Sequence, residues 1–190
     1  MNIDNLVKNI KPLDRSAMEK AEDRLNNLVK PQGSLGVLED LVIQLAGITG
    51  DTIPRVENKM VVVMAGDHGV VEEGVSAAPQ SVTPQMVYNF LHGGAGINVL
   101  ARCAGAKVKV VDVGVADETL VHQNLISRKV RLATANMTKG PAMSREEALQ
   151  ALKIGIEIAE GEIDQGINLL ATGEMGIGNT TPSSAILAVY

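Results

Sequence analysis

Residues 59–69 read KMVVVMAGDHG, an apolar run rich in valine that ends abruptly in Gly66-Asp67-His68-Gly69. A strand with one wet face alternates apolar and polar residues, whereas a strand covered on both faces has no reason to. The run therefore predicts a strand inside a parallel sheet. Working outward, KVKVVDVGV (107–115) is a second run of this kind, INLLATG (167–173) a third, and RKVRLAT (128–134) a weaker one. Helical patterns lie between them. Thr83-Pro84 predicts a helix over PQMVYNFLH, with Thr as N-cap and Pro at the first helical position. INVLARCA (97–104) follows as another, and Ser144 with Glu147 in capping-box spacing opens a long helix, REEALQALKIGIEIAEGEI. Thr181-Pro182 stands at the mouth of a last one, TPSSAILAVY.

Strands alternating with helices define an α/β fold: a wound, mostly parallel, Rossmann-like sheet with flanking helices over 58–190. Before it, over 1–50, come two amphipathic helices with no strand between them. SAMEKAEDRLNNLVKPQGS carries Ser16 and Glu19 in capping-box spacing, then Ala17, Ala21, Leu25 and Leu28 at helical period, until Pro31 stops it. GVLEDLVIQLAGI sets Leu38, Leu41, Val42 and Leu45 on one face. Together they read as a helical cap or dimerisation element. The apolar pattern of residues 182–190 reaches the final Tyr190 without a capping glycine, a basic last turn or a polar tail, which reads as a truncated, incomplete domain.

Composition narrows the function. The 190 residues carry 17 basic against 22 acidic side chains, a net charge of −5, and only 2% aromatics. With no basic run and almost nothing to stack on bases, a nucleic-acid partner is not expected. No apolar run reaches the length of a membrane helix and MNIDNLVKNIKPLD has no signal-peptide pattern, so the chain reads as cytoplasmic with no membrane partner. Cys103, the single cysteine, sits in a helical apolar stretch and is expected to be a buried, inert thiol.

In a wound parallel sheet, ligands bind beyond the carboxyl ends of the strands. Two predicted ends carry such loops: AGDHGVVEEGVSAAPQSVTPQ (65–85) and TGEMGIGNTTP (172–182). In the second, Gly173, Gly176 and Gly178 let backbone approach a ligand, and amides leading into the following helix favour an anion. The spacing G-x-x-G-x-G is neither a dinucleotide fingerprint nor a P-loop. Glu174 would repel a phosphate, so its roles are to hold ribose hydroxyls, orient a ring nitrogen or brace the loop amides. Asp67 and His68 invite a metal or triad reading, but none of His68, His92 and His122 shows ligand spacing and no serine lies in a G-x-S-x-G elbow. A site-shaping pair is the better reading, with no metal and no cofactor. HGGAGIN (92–98) reads as close helix packing rather than an anion nest, and Met64, Met86 and Met175 as core.

KPQGSLGVLEDL (30–41), the long stretch 65–102 and TGEMGIGNTTPSSAI (172–186) closely resemble the nicotinate-nucleotide–dimethylbenzimidazole phosphoribosyltransferase family, over about Leu13 to Tyr190. The resemblance implies transfer of a 5-phosphoribosyl group from nicotinate mononucleotide to 5,6-dimethylbenzimidazole. The products would be nicotinate and α-ribazole 5′-phosphate, in cobalamin lower-ligand synthesis. It implies a homodimer and a metal-independent reaction, since no pyrophosphate leaves. Substrate contacts would come from Gln80, Ser81 and Gln85 on the benzimidazole side. Met175, Gly176, Ile177, Gly178, Asn179 and Thr180 would hold the nucleotide, the amides of Gly176, Ile177 and Gly178 meeting phosphate. Glu174 would support catalysis by placing negative charge near the reacting ring. Family members run well past this chain's length, and the resemblance places their general base in that further portion. The alternatives are a non-catalytic nucleotide- or benzimidazole-binding module and, weaker, a metal-dependent hydrolase using Asp67, His68 and Glu174.

Overall fold

The computed structural model describes residues 3–190, which fall into two compact units meeting at residues 56 and 57. The first holds α1 (Ile3–Lys8), α2 (Arg15–Asn26) and α3 (Val37–Thr49). Helices α2 and α3 touch through the small buried side chains Ala17, Ala21 and Ala46. Asp14, not Ser16, caps α2: its carboxylate accepts the Ala17 N–H at 3.0 Å. A carboxylate at a helix start also suits the dipole, which favours it over the serine two residues on. The turn before α3 is tied by Glu39, which accepts from Lys30 Nζ at 2.8 Å and the Leu35 N–H at 3.0 Å. The apolar face of α3 is partly open, with Leu38 61% and Leu41 48% exposed and Val42 and Leu45 half-buried. Ala46 and Gly47 do the packing instead, because only small residues allow the close approach to α2 that puts Met18 against Gly47.

The second unit is the α/β fold. Four parallel strands lie in the order β3-β2-β1-β4: β1 (Lys59–Gly66), β2 (Ala106–Gly114), β3 (Leu125–Ser127) and β4 (Leu169–Met175). Between β1 and β2 run a 3-10 turn (Gly69–Glu73), α4 (Val82–Leu91) and α5 (Gly96–Ala104); α6 (Arg145–Asp164) joins β3 to β4, and α7 (Thr180–Val189) follows β4. The unbroken apolar run of β1 has its predicted cause. Met60 and Val62 pack with Val111, Ile154 and Ile158 on the α6 side, and Ala65 packs with Val87, Val110 and Val115 on the α4 side.

Several local expectations change. The weaker strand expected over 128–134 falls instead at Leu125–Ser127, pairing with Val110–Asp112, and 128–134 is irregular. Lys129 turns inward there, its ammonium 2.5 Å from Asp112 Oδ2 and 2.7 Å from the Val115 carbonyl, which breaks strand alternation. Helix α4 starts at Val82 after Ser81, so Thr83 lies inside its first turn and does not cap it. Helix α7 starts at Thr180, one residue before Thr181. Cys103 is exposed, because α5 turns Asn98 and Ala101 inward and leaves the thiol outside. The 92–98 segment is a tight connection: Asn98 donates to the Phe90 carbonyl at 3.0 Å and accepts the Ala95 N–H at 3.2 Å.

The Ser144–Glu147 capping box forms as expected, with Glu147 N donating to Ser144 Oγ at 3.1 Å and Ser144 N to Glu147 Oε2 at 2.7 Å. Burial of α6 outweighs its cap. Ser144→Ala is expected to lower stability by about 1 kcal/mol, and Ile154→Ala by about 3 kcal/mol through loss of a buried side chain and the cavity it leaves. Urea titration at constant slope measures both, and equal losses would refute this ranking.

Candidate active site

Glu174 is not a loop residue. It is the penultimate residue of β4, in register with Met64, while Met175 pairs with Ala65. Paired residues on parallel strands share a face, so Glu174 points to the α6 side and Met175 to the α4 side. Met175 accordingly packs against the Ala65–Val87–Val110 cluster, as core. Glu174 joins Met64, Gly66, Asp67 and His68 in lining a cavity of about 930 Å³ between the strand ends and α6. The α6 wall of that cavity is mostly apolar, with Ala148, Ala151, Gly155, Ile156 and Ala159 among its residues and Glu147 near the helix start.

Around Glu174 three elements converge. His68 Nε2 lies 3.5 Å from Glu174 Oε1, buried and without a hydrogen-bond partner. Asn179 donates its side-chain amide to Glu174 Oε2. Between them passes Gly176, where a Cβ would overlap the Gly66 carbonyl oxygen and stand 2.7 Å from His68 Nε2. This close approach of the β4 end to the β1 end is why glycine is needed there. Gly178 has φ +81°, and a Cβ there would come within 2.7 Å of Val71 Cγ2.

Asp67 has a different task from the one a hydrolase would give it. It is 2% exposed, its Oδ1 accepts from Thr83 Oγ1 at 2.6 Å and its Oδ2 accepts the Ala116 N–H at 2.8 Å. Both oxygens are thus engaged by hydrogen bonds within the protein, a structural use of the carboxylate rather than the one a metal-dependent hydrolase would make of it. Among the described residues no three His, Cys, Asp or Glu side chains gather as a metal site. Thr83 Oγ1 in turn accepts the Ile177 N–H at 3.1 Å. The Ile177 amide, expected to meet phosphate, is therefore committed to Thr83. The Asn179 N–H goes to the Gly176 carbonyl at 3.0 Å. Sequence does not single out Thr83, because Thr-Pro reads as a cap; the signal for it is an Asp at the end of a buried strand, which must find donors.

On the α4 side, Ser81 and Gln85 are exposed and Gln80 is half-buried, at the turn where the Val82 and Thr83 amides bond back to Pro79 and Gln80 at 3.0 and 2.9 Å. None of the three lines the α6 cavity. The structure thus brings Asp67, His68, Glu174 and the 176–180 loop together, with Ser81–Gln85 linked to that group through Thr83. The adjoining 3-10 turn is held by Asn136, donating to Glu73 Oε1 at 2.7 Å, and by Lys139, 2.8 Å from Glu72 Oε2. The Lys139 and Asn136 hydrogen bonds hold the Glu72 carboxyl below its ordinary range.

A phosphoribosyltransferase family model matches residues 10–190. The chain belongs to that family. It is 52% identical, over all of its length, to a protein of Clostridium acetobutylicum named nicotinate-nucleotide–dimethylbenzimidazole phosphoribosyltransferase, and covers 53% of that protein. A relative of the same name from Desulforudis audaxviator is 55% identical over 96% of this chain and 52% of its own. The crystal structure of the enzyme of that name from Thermus thermophilus superimposes with a TM-score of 0.89 at 50% identity, over 93% of this chain and 54% of that one. The chain spans about half the length of the curated relatives it matches. Among its described residues no helix is long and apolar enough to cross a membrane.

The glycine argument is directly testable. Gly176→Ala is expected to cost about 2 kcal/mol, the price of forcing a side chain against fixed backbone. Gly161→Ala, in α6 with nothing within 4 Å, is expected to gain about 1 kcal/mol from helix propensity. Equal effects of the two changes on the denaturation midpoint would contradict the close approach.

Proposed function

We propose that this phosphoribosyltransferase chain binds nicotinate mononucleotide and 5,6-dimethylbenzimidazole and takes part in phosphoribosyl transfer between them, in cobalamin lower-ligand synthesis. The observation that carries the proposal is the loop 176–180, closed against His68 and Thr83 with Glu174 at its root. In the transfer a benzimidazole nitrogen attacks C1′ of the ribose, the bond from C1′ to the nicotinate nitrogen breaks, and the N–H proton of the acceptor is lost. Positive charge on the pyridinium donor and on the ribosyl group in the transition state favours a fixed carboxylate nearby. Glu174, its Oε2 hydrogen-bonded by Asn179, suits that task.

In this reading Gly176, Gly178, Asn179 and Thr180 line the nucleotide side, and Gln80, Ser81 and Gln85 the acceptor side. Ile177 and Met175 shape the site from behind, as Asp67 does, and His68 borders Glu174. No residue of this chain is assigned as the general base, whose place is in the further portion of the longer relatives. A homodimer built with the help of residues 1–50, with 58–190 as the nucleotide-binding part, and a cytoplasmic setting belong to the same proposal. The second reading, a binding module without turnover, is favoured if that base is indispensable.

Titration calorimetry with nicotinate mononucleotide, then 5,6-dimethylbenzimidazole, followed by an assay for released nicotinate, separates the two. Saturable binding is expected, weakened about tenfold in Glu174→Gln by loss of a charge-assisted contact. Absence of any binding to the unaltered chain would refute the proposal, and binding without nicotinate release would select the second reading.

A further inference from the structure

We propose that Thr83 is a positioning residue that sets the direction of the nucleotide loop's backbone, with Asp67 as its anchor. The Thr83 side chain is fully buried. A hydroxyl has one proton, and the Asp67 carboxylate, which can only accept when ionised, claims it at 2.6 Å. The lone pairs left on Thr83 Oγ1 receive the Ile177 N–H at 3.1 Å. The carboxylate is itself held, because Oδ2 accepts the Ala116 N–H at 2.8 Å and the Asp67 backbone is bonded to Gly114 and Thr134 at 3.0 and 2.9 Å. The peptide joining Gly176 to Ile177 is thus fixed from both ends, its N–H by Thr83 and its carbonyl by the Asn179 N–H at 3.0 Å.

The loop needs an external anchor. With glycines at 176 and 178 its peptides turn at little steric cost. A flipped peptide would offer a carbonyl oxygen where an anion requires an N–H. The amides at Gly178 and the start of α7 take their direction from the Ile177 peptide before them. Thr83 also lies in the first turn of α4, between Ser81 and Gln85. One hydroxyl therefore ties the acceptor side of the site to the nucleotide side, across a sequence separation of 94 residues. This inference rests on the reading of the 176–180 loop as a phosphate-bearing nucleotide site.

Two substitutions in the full chain test it. Thr83→Val keeps the shape and removes the hydroxyl; Thr83→Ser keeps the hydroxyl. Amide hydrogen exchange by NMR is expected to show Ile177 at least tenfold faster in Thr83→Val and near its original rate in Thr83→Ser, with the β1 and β2 amides unchanged in both. Affinity for nicotinate mononucleotide is expected to fall about tenfold in Thr83→Val, equivalent to ~1.4 kcal/mol, and to be restored in Thr83→Ser. Unchanged Ile177 exchange in Thr83→Val, or equal loss of protection in Thr83→Ser, would overturn the proposal. So would intact affinity in Thr83→Val beside faster Ile177 exchange. Should Thr83→Val not fold, Thr83→Ser decides alone, since normal Ile177 protection and affinity support the anchor and their loss refutes it. Failure of the unaltered chain to bind the mononucleotide would instead count against the functional reading, while the exchange rates still decide whether Thr83 holds the loop.

Discussion

The Asp67 carboxylate is buried at the point where β1 ends, and the loops around it take their places from its hydrogen bonds. Burying a charge without partners costs several kcal/mol, so the group is tolerable only if donors converge on it. They come from Thr83 in α4 and from the Ala116 amide beyond β2, while the backbone of Asp67 bonds to Gly114 and Thr134. Asp112, at the end of β2, does the same for its own turn, accepting the Gly114 and Val115 amides and the Lys129 ammonium. Two fully buried carboxylates, one just past β1 and one near the end of β2, thus organise the edge of the sheet where a parallel fold presents its ligand site.

Register does the rest. Because β4 pairs with β1 so that Glu174 meets Met64, the carboxylate is delivered to the α6 face and Met175 to the α4 core. A slip of one residue would exchange them, burying a charge and exposing a methionine. The Gly176 crossing against Gly66 and His68 then folds the loop back over Glu174, and Asn179 reaches its second oxygen. The distinction between a bracing glutamate and a catalytic one, open from residue type, narrows here. Glu174 is braced by the Asn179 side chain and keeps 47% of its own exposed, which agrees with the proposed role beside a ligand.

Much of the fold was legible because it is local. The two-sided burial of β1, the α6 capping box and the alternation of strands and helices are written in runs of 4 to 20 residues. What sequence could not supply are pairings between distant segments. Cys103 reads as core by its neighbours, yet which face of α5 packs depends on β2 and α4. Leu38 and Leu41 form an apolar face by periodicity, but Ala46 and Gly47 meet α2. The Ile177 amide reads as free because its partner, Thr83, lies on another helix. Ser16 and Glu19 have capping-box spacing, and Asp14 takes the position through a stronger acceptor. Of the residues named from the resemblance, 176–180 follow the end of β4, whereas Gln80, Ser81 and Gln85 lie at the start of α4; the Asp67–Thr83–Ile177 bonds link the two groups.

In the proposed function the segment from Glu174 to Thr180 holds the phosphate-bearing nucleotide. Amide chemical-shift mapping of the 190-residue chain during titration with nicotinate mononucleotide tests it most directly. The largest shifts are expected on Gly176, Gly178, Asn179 and Thr180, with smaller ones at Ser81–Gln85. Shifts confined to the α6 wall of the cavity, at Ala151, Gly155 and Ile156, would contradict it.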